Sequence, residues 1–315
     1  MKPFIVVADG MDKHTFKSLQ AITEFEVHPS PKVTQEELLT LLPRTSALVI
    51  RSASKVTAES LEISPNLKYV IRAGEGTDNI DKVACGKKGV KVSNTPGANS
   101  NSVAELAISL MINVLRKTAW AHATMVAGKW EKNKYEGNEL SYKSIGFIGF
   151  GKIAQLTAKR LSGFDPDVLY YDTFPVKTDL PYARQARDLE QIFSECDIIT
   201  MHIPKTKETS NLVDKRLLSL MKKEAILINT ARGGLVNEDD LCTFLKEGKI
   251  RGAGIDVFAI EPLPEGSKLS TLENVVLTPH LGASTGEAQI RVGEMAVHQL
   301  KEFFIKNQLL NEVKA

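Results

Sequence analysis

The stretch Ile145-Gly146-Phe147-Ile148-Gly149-Phe150-Gly151-Lys152-Ile153-Ala154 decides the fold of the middle of the chain. Its first four residues predict a short buried strand, and the sequence from Lys152 to Ser162 predicts a helix. Gly149 permits the tight turn between the two elements. A strand, a glycine-rich turn and a helix in this order are typical of a parallel βαβ unit.

The same alternation of short apolar runs and helical sequence continues on both sides of this stretch. Further strands are predicted at Phe4–Ala8, Ala47–Ile50, Leu67–Ile71, Val90–Ser93, Val168–Tyr171, Asp197–His202, Ala225–Asn229, Gly252–Val257 and Val275–Thr278. The break at Asn94-Thr95-Pro96-Gly97 predicts a domain crossing. A length of 315 residues suggests about two domains. We therefore predict the α/β class, with two doubly wound parallel sheets.

A long apolar helix is predicted after this crossing, over about Ser102–Ala127. Its apolar residues cover most of the circumference, which indicates burial on several sides. That burial can be achieved within one chain or against a second copy of it. We expect the second arrangement, a homodimer. A final helix is predicted over Glu287–Ile305.

The composition excludes several classes of protein. Lys plus Arg number 40 and Asp plus Glu 38, so a net charge of +2 gives no whole-surface reason to bind nucleic acid or an anionic membrane. No run approaches the roughly 18 apolar residues that cross a bilayer, and the apolar run at the start is too short for a signal peptide. Cys85, Cys196 and Cys242 lack the spacing of a metal site or a disulfide framework. We expect a cytoplasmic protein without a metal.

The glycine-rich turn also predicts a dinucleotide site. Gly151 lets the backbone approach a pyrophosphate, and the small Ala154 lets the helix pack on the strand. The helix N-terminus offers free N–H groups to the phosphates. Asp172 ends the next predicted strand, 23 residues after Gly149, where its carboxylate can accept both ribose hydroxyls of NAD and repel the extra phosphate of NADP. The alternative is a plain turn followed by a surface aspartate. We predict NAD as the cofactor.

Three later segments each place a chemically capable residue after a predicted strand: Arg232, Glu261 and His280. Parallel strands bring such ends together at one edge of the sheet. Oxidation of an alcohol by NAD needs a base for the hydroxyl proton, for which His280 is suited near neutral pH. Arg232 can hold a carboxylate and polarise the forming carbonyl. Glu261 would hold the His280 ring and stabilise its protonated form.

Together these residues resemble the D-isomer-specific 2-hydroxyacid dehydrogenase family over nearly the whole chain. The segments that carry the resemblance are Arg72-Ala73-Gly74 with Gly76 and Asp78–Asp81, Asn94-Thr95-Pro96, Val103-Ala104-Glu105, Gly149–Ala154, His202-Ile203-Pro204, Asn229–Gly234, Asp256-Val257-Phe258 with Glu261-Pro262, and Pro279-His280.

The resemblance implies a discontinuous substrate-binding domain, residues 1–98 and 285–315, around an NAD-binding Rossmann domain, residues 99–284. It also implies a cleft between these two Rossmann-like domains and a homodimer formed through the cofactor domains. It assigns the catalytic roles to Arg232, Glu261 and His280. Implied cofactor contacts are Gly149, Gly151, Lys152, Ile153, Asp172, His202, Pro204, Thr209, Thr230, Arg232, Asp256, His280 and Gly282. Implied substrate contacts are Arg51, Ser52, Arg72, Gly74, Glu75, Gly76, Asn99, Arg232 and His280. Among them, the backbone at Gly74–Gly76 would hold the substrate carboxylate.

Within the family, the chain is most similar to members that oxidise 3-phospho-D-glycerate to 3-phosphohydroxypyruvate with NAD, the entry step to serine. The nearest alternative is a reductase of glyoxylate or hydroxypyruvate. Such a substrate carries no phosphate, so it does not need both Arg51 and Arg72. An alternative of another class is a non-catalytic NAD(H)-sensing interaction protein, which can retain the three catalytic residues.

Two residues depart from the family pattern. Glu75 stands where a neutral residue is usual, and its carboxylate is unfavourable beside an anionic substrate unless it points away or pairs with a basic group. Lys152 replaces the commoner arginine, a change of modest effect because backbone N–H groups hold the pyrophosphate.

The chain ends where the catalytic core of the family ends. We therefore expect no C-terminal serine-binding domain and no inhibition by serine through one.

Overall fold

The computed structural model describes residues 2–314, and twelve β-strands lie within them. They are β1 (Phe4–Val7), β2 (Glu26–Val27), β3 (Ala47–Ile50), β4 (Tyr69–Arg72), β5 (Lys91–Asn94), β6 (Ser144–Ile148), β7 (Asp167–Tyr171), β8 (Ala183–Gln185), β9 (Ile198–Met201), β10 (Ile226–Asn229), β11 (Gly252–Ile255) and β12 (Val275–Leu277).

Eleven α-helices lie within the same residues 2–314. They are α1 (Lys13–Gln20), α2 (Gln35–Leu41), α3 (Ala58–Glu62), α4 (Lys82–Lys87), α5 (Ser100–Arg116), α6 (Thr118–Val126), α7 (Lys152–Leu161), α8 (Leu189–Glu195), α9 (Lys215–Leu218), α10 (Glu238–Lys246) and α11 (Gly286–Lys306). Among the helices of residues 2–314, none combines the length and the apolar character that crossing a membrane requires.

The chain divides into two compact units. Unit 1 comprises Met1–Asn99 and Ala283–Ala315, and unit 2 comprises Ser100–Gly282. The boundaries predicted from the sequence, after residues 98 and 284, differ from these by one and two residues.

Unit 1 contains a parallel sheet of order β2-β1-β3-β4-β5. Successive side chains of β1 enter opposite apolar clusters, because strand side chains alternate between faces. Ile5 and Val7 pack with residues of α1 and α11, whereas Phe4 and Val6 pack with residues of α2. Helices therefore cover both faces of the sheet, as parallel sheets require.

Unit 2 contains a parallel sheet of order β12-β11-β10-β9-β6-β7-β8. Apolar clusters again lie on both faces, one with α5 and α7 and the other with α8, α9 and α10. The order reverses beside β6, so the glycine-rich turn lies at the point where ligands bind in sheets of this kind. The predicted α/β class with two doubly wound parallel sheets is confirmed.

The long helix predicted over Ser102–Ala127 is wrong as a single element. Lys117 adopts a left-handed conformation with φ 54° and separates α5 from α6. Nine of the 17 residues of α5 are buried, whereas α6 has no buried residue. Strands β2 and β8 were not predicted from the sequence, because these edge strands have two and three residues and form no apolar run.

Candidate active site

His280 and Glu261 form the contact on which acid–base chemistry depends. His280 Nδ1 lies 2.7 Å from Glu261 Oε2, and Glu261 Oε1 accepts a hydrogen bond of 3.0 Å from the Phe258 N–H. Burial raises the pKa of Glu261, but the hydrogen bonds from His280 and Phe258 and the charges of His280 and Arg232 outweigh it, so the pKa is lowered. An ionised carboxylate can only accept, so in the neutral imidazole the hydrogen is on Nδ1, and Nε2 is the nitrogen that can accept a proton.

Asp256 holds the loop that carries His280. One carboxylate oxygen accepts from Thr278 Oγ1 at 2.6 Å and from the Leu281 N–H at 2.7 Å, and the other accepts from the Gly282 N–H at 2.9 Å. These hydrogen bonds lower the pKa of the buried Asp256, but burial outweighs them and raises it. His280 itself has a positive φ of 55°, and its N–H donates to the Asp256 carbonyl at 2.9 Å. Asp256 therefore positions His280, and its predicted contact with the cofactor stays a prediction.

Arg232 follows the neighbouring strand β10. The Asn229 side chain closes the turn before it, donating to the Arg232 carbonyl at 2.9 Å and accepting from the Ala231 N–H at 3.1 Å. Gly233 lies so close to the chain at Phe258 that a Cβ there would overlap the Phe258 carbonyl. Because β10, β11 and β12 are adjacent and parallel, the loops that carry Arg232, Glu261 and His280 all begin at the carboxyl ends of these strands, on the same side of the sheet.

Glu238 also supports this site, although it was not predicted from the sequence. It lies in the first turn of α10, and its Oε1 accepts a hydrogen bond of 2.6 Å from the Ala259 N–H. The turn that leads to Glu261 is therefore held by two carboxylates, Glu261 at Phe258 and Glu238 at Ala259. Acidic residues are common in the first turn of a helix, because they interact favourably with the helix dipole. The sequence alone therefore did not indicate that Glu238 also binds the Ala259 N–H.

The glycine-rich turn has the shape that a pyrophosphate needs. Gly149 has φ 82°, and a Cβ there would lie 2.7 Å from the His202 carbonyl oxygen. Gly151 is the N-cap of α7, which has no side-chain cap, and nothing lies within 4 Å of the place where its Cβ would be. The N–H groups of Lys152 and Ile153 therefore begin a helix beside open space.

Asp172 lies beside this turn because β6 and β7 are paired. Its Oδ2 accepts from the Phe150 N–H at 2.8 Å and its Oδ1 from the Phe174 N–H at 3.0 Å. The carboxylate is partly exposed, so each oxygen retains lone pairs for further donors such as ribose hydroxyls.

Other predicted cofactor residues of unit 2 follow strands β9 and β10. Burial lowers the pKa of His202 to about 3, so its ring is neutral; it stacks on Phe147, and its Nε2 lies 3.0 Å from Thr200 Oγ1. Thr209 Oγ1 donates to the Pro204 carbonyl at 2.8 Å. Thr230 Oγ1 is buried and lacks a hydrogen-bond partner among residues 2–314, which is consistent with a polar ligand group at this place. The residues present fit a dinucleotide.

The predicted substrate residues Arg51 and Ser52 follow β3 in unit 1. Asp9 fixes their loop by accepting from the Arg51 N–H at 2.6 Å and from Ser54 Oγ at 2.6 Å. Asn79 Nδ2 donates to the carbonyls of Arg51 and Ser54. Burial lowers the pKa of Arg51 and the charge of Asp9 opposes this, yet a guanidinium stays charged at neutral pH.

The residues that follow β4 form a second predicted substrate segment of unit 1. The Arg72 guanidinium lies against Gly74, whose φ is 150° and where a Cβ would overlap Nη1. Glu75 turns its carboxylate to the Gly97 N–H at 2.8 Å. Asn99 is buried, and its Oδ1 has no hydrogen-bond partner among residues 2–314. The predicted substrate contacts of Ser52, Gly76 and the others stay predictions.

Comparison with known proteins identifies the family. Residues 108–282 match the family described as D-isomer specific 2-hydroxyacid dehydrogenase, NAD binding domain. The chain belongs to the D-isomer-specific 2-hydroxyacid dehydrogenase family. It is 44% identical to the hydroxypyruvate reductase of Thermotoga maritima, over 93% of this chain and 96% of that protein. It is 40% identical to the D-3-phosphoglycerate dehydrogenase of Methanocaldococcus jannaschii over 95% of this chain, which spans 57% of that protein's length.

The fold is shared with solved structures. The TT0316 protein from Thermus thermophilus matches with a TM-score of 0.90 and 31% identity, over 98% of this chain and 99% of that one. The protein is therefore an NAD-dependent 2-hydroxyacid dehydrogenase, and a nicotinamide dinucleotide is its cofactor. Gly149, Gly151 and the N-terminus of α7 would hold the pyrophosphate, and Asp172 would hold the adenine ribose.

Replacing Asp172 tests the preference between NAD and NADP. If Asp172 holds the ribose as predicted, removing its carboxylate takes away those hydrogen bonds and the repulsion of the extra phosphate of NADP. The NAD/NADP ratio of kcat/KM is then expected to fall at least about tenfold, the factor from 1.4 kcal/mol. Asp172→Asn is measured beside Asp172→Ala, because an amide oxygen can still accept from the Phe150 N–H. Asp179→Ala, at an exposed position, is the control. An unchanged ratio in both Asp172 variants would contradict the assignment.

Glu261→Gln tests the link between carboxylate and imidazole. With its lowered pKa, Glu261 stays ionised at neutral pH, and its support of the imidazolium is lost only as the pH falls through that lowered pKa. The amide gives the imidazolium no charged partner, so the acidic limb of kcat/KM for oxidation is expected to move to lower pH. The measurement is a pH profile beside Glu265→Gln, an exposed control. An unmoved acidic limb would show that Glu261 does not act through His280.

Proposed function

We propose that this dehydrogenase oxidises 3-phospho-D-glycerate to 3-phosphohydroxypyruvate with NAD, the entry step to serine. The observation that carries the proposal is that two arginines lie at the carboxyl ends of the neighbouring strands β3 and β4 in unit 1. Arg72 pairs in register with Ile50, so Arg51 is the next residue of the neighbouring segment. A doubly charged phosphate suits two guanidinium groups, whose planar forks bind oxygens in pairs. An unphosphorylated 2-hydroxy acid offers the second arginine no anion.

In this proposal the residues of unit 2 perform the chemistry. Arg232 binds the substrate carboxylate and polarises the forming carbonyl. The cofactor, when bound, supplies the hydride acceptor. His280 accepts the hydroxyl proton at Nε2, since its Nδ1 hydrogen is donated to Glu261. Glu261 stabilises the resulting imidazolium, which returns the proton to the carbonyl oxygen in the reverse reaction.

Reduction of hydroxypyruvate is the second candidate. It is favoured by the similarity to the Thermotoga maritima hydroxypyruvate reductase, which extends over 96% of that protein. The chemistry at Arg232, Glu261 and His280 is the same for both substrates, so only the residues that contact the far end of the substrate distinguish them.

A comparison of substrates decides between the two candidates. The purified protein is assayed with NAD on 3-phosphoglycerate and glycerate, and with NADH on 3-phosphohydroxypyruvate, hydroxypyruvate and glyoxylate. We expect kcat/KM to be at least about tenfold higher for the phosphorylated member of each pair, because one charge-assisted contact contributes about 1.5–3 kcal/mol. A higher kcat/KM for hydroxypyruvate or glyoxylate would favour the second candidate.

We also propose a homodimer in which a second copy covers α6. Helix α6 is apolar, yet Met125 and Val126 are 53% and 74% exposed, and Trp130 beyond it is 79% exposed. Exposed apolar residues clustered in this way are typical of an interaction surface. A symmetric pair would bury the same surface on both copies, which is the commonest form of oligomer.

Val126→Glu is expected to convert the dimer into a monomer, because it places a charge in an apolar interface. Light scattering coupled to size exclusion gives the mass. Val83→Glu on α4 is the control, since Val83 is also an exposed helical valine, at 56%. A wild-type chain that elutes as a monomer, or a Val126→Glu chain that remains a dimer, would contradict this interface.

A further inference from the structure

Glu75 is an acidic residue within the segment Gly74–Gly76, to which the family resemblance assigns the carboxylate of an anionic substrate. It follows β4 directly after Gly74, three residues after Arg72. A carboxylate facing a substrate carboxylate or phosphate would weaken binding by repulsion. The direction in which the side chain points therefore decides whether Glu75 weakens or supports substrate binding.

Three hydrogen bonds join the Gly74–Glu75 turn to the segment 94–97. Glu75 Oε2 accepts from the Gly97 N–H at 2.8 Å. The Glu75 carbonyl accepts from Asn94 Nδ2 at 2.6 Å, and the Gly74 carbonyl accepts from the Thr95 N–H at 3.0 Å. The carboxylate is thus turned to a backbone donor, and both backbone and side chain of Glu75 take part in the same junction.

The segment 94–98 is itself fixed by α11. Gln299 Nε2 donates to the Asn94 carbonyl at 2.8 Å, and Arg291 Nε donates to the Ala98 carbonyl at 2.9 Å. Thr95 between them is fully buried. Glu75 is therefore tied to a part of unit 1 that is anchored at both ends, so it can hold the turn before it in one conformation.

The turn needs such support because its backbone conformation is unusual. Gly74 has φ 150°, a value that residues with a Cβ rarely adopt, and Gly97 has φ 76°. Glycine has the largest conformational freedom to lose, so a glycine turn stays ordered only when its neighbours restrain it. Arg72 lies against Gly74 on one side, and the Glu75 carboxylate restrains the next residue.

We propose that Glu75 is a positioning residue: its carboxylate holds the backbone of Gly74–Gly76 in the conformation that receives the substrate carboxylate, through Gly97, and does not itself contact substrate. This inference rests on the proposed function in one respect, which the family resemblance implies: the Gly74–Gly76 backbone, together with Arg232, binds the substrate carboxylate, an end common to phosphorylated and unphosphorylated 2-hydroxy acids. It needs an acceptor oxygen at position 75 and does not need a negative charge.

The test compares Glu75→Ala with Glu75→Gln. Alanine removes the acceptor for the Gly97 N–H, and KM for the 2-hydroxy acid is expected to rise about tenfold while kcat and the Kd of NADH, from fluorescence titration, change little. Glutamine keeps an acceptor oxygen and is expected to restore KM to within about threefold of the original value. Glu294→Ala, at an exposed position of α11, is the control.

Both 3-phosphoglycerate and glycerate are used, and the same rise in KM is expected on whichever is turned over. The test therefore remains valid if the phosphorylated substrate is the wrong one. A fall in KM in both variants would show that the charge repels substrate directly, and an equal rise in both would show that the charge contacts it. A lowered Tm with an unchanged KM in Glu75→Ala would show a role in folding alone. Each of these three results would overturn the proposal.

Discussion

His280→Ala is expected to lower kcat by about 10²–10⁴-fold, the usual contribution of a general base, while the variant still binds NADH. The His280 ring is held by Glu261 at Nδ1, which leaves Nε2 as the nitrogen that can take a proton. Asp256 holds the loop around the ring through three hydrogen bonds that do not involve the imidazole. The loop should therefore keep its place when the ring is removed, and the loss should fall on the chemical step.

The backbone at position 280 calls for a second variant. Its φ of 55° is unfavourable for alanine, whereas asparagine tolerates it better, so His280→Asn separates loss of the base from loss of the loop. His298→Ala is the matched control, because His298 also lies near a carboxylate, 3.7 Å from Glu302, on α11. Steady-state kcat and NADH fluorescence titration are measured for all three. A near-normal kcat in His280→Asn would exclude His280 as the base.

Much of this site follows from the pattern of strands. Parallel strands that alternate with helices must end at a common edge, so residues after β10, β11 and β12 could be placed together from the sequence. The expectation that Glu261 holds the His280 ring corresponds to a contact of 2.7 Å. The glycine-rich turn was equally predictable, because a positive φ, as at Gly149, is a conformation that glycine adopts far more readily than other residues.

Other features left no such signature. Lys117 interrupts the long helix in a left-handed conformation, although no glycine or proline marks the position. The hydrogen bonds of Asp256 and Glu238 join loops that are distant in sequence, so they depend on the finished packing of unit 2. From the sequence, Glu75 could only be identified as a carboxylate in a segment expected to bind an anion. The structure shows that this carboxylate accepts a hydrogen bond from the Gly97 N–H. Residue type predicts local conformation well, whereas the partner of a polar side chain is decided by tertiary structure.

Arg72→Leu is expected to lower kcat/KM for 3-phosphoglycerate at least about tenfold, the factor from 1.4 kcal/mol, since a charge-assisted contact with phosphate contributes roughly that much or more. Turnover of glycerate or another unphosphorylated 2-hydroxy acid should change little, because such a molecule has no phosphate for the guanidinium to bind. Arg51 remains and would retain part of the phosphate binding, so the loss should be partial.

The competing explanation is that Arg72 supports the turn at Gly74, against which its guanidinium lies. That role would affect the carboxylate end, which all 2-hydroxy acids share, so kcat/KM would fall equally for both kinds of substrate. Arg44→Leu is the matched control, because Arg44 is exposed and lies before the amino end of β3, away from the carboxyl ends of the strands. The deciding quantity is the ratio of kcat/KM for 3-phosphoglycerate to that for glycerate. A fall in this ratio assigns Arg72 to the phosphate, whereas an unchanged ratio assigns it to the turn and favours hydroxypyruvate as the substrate.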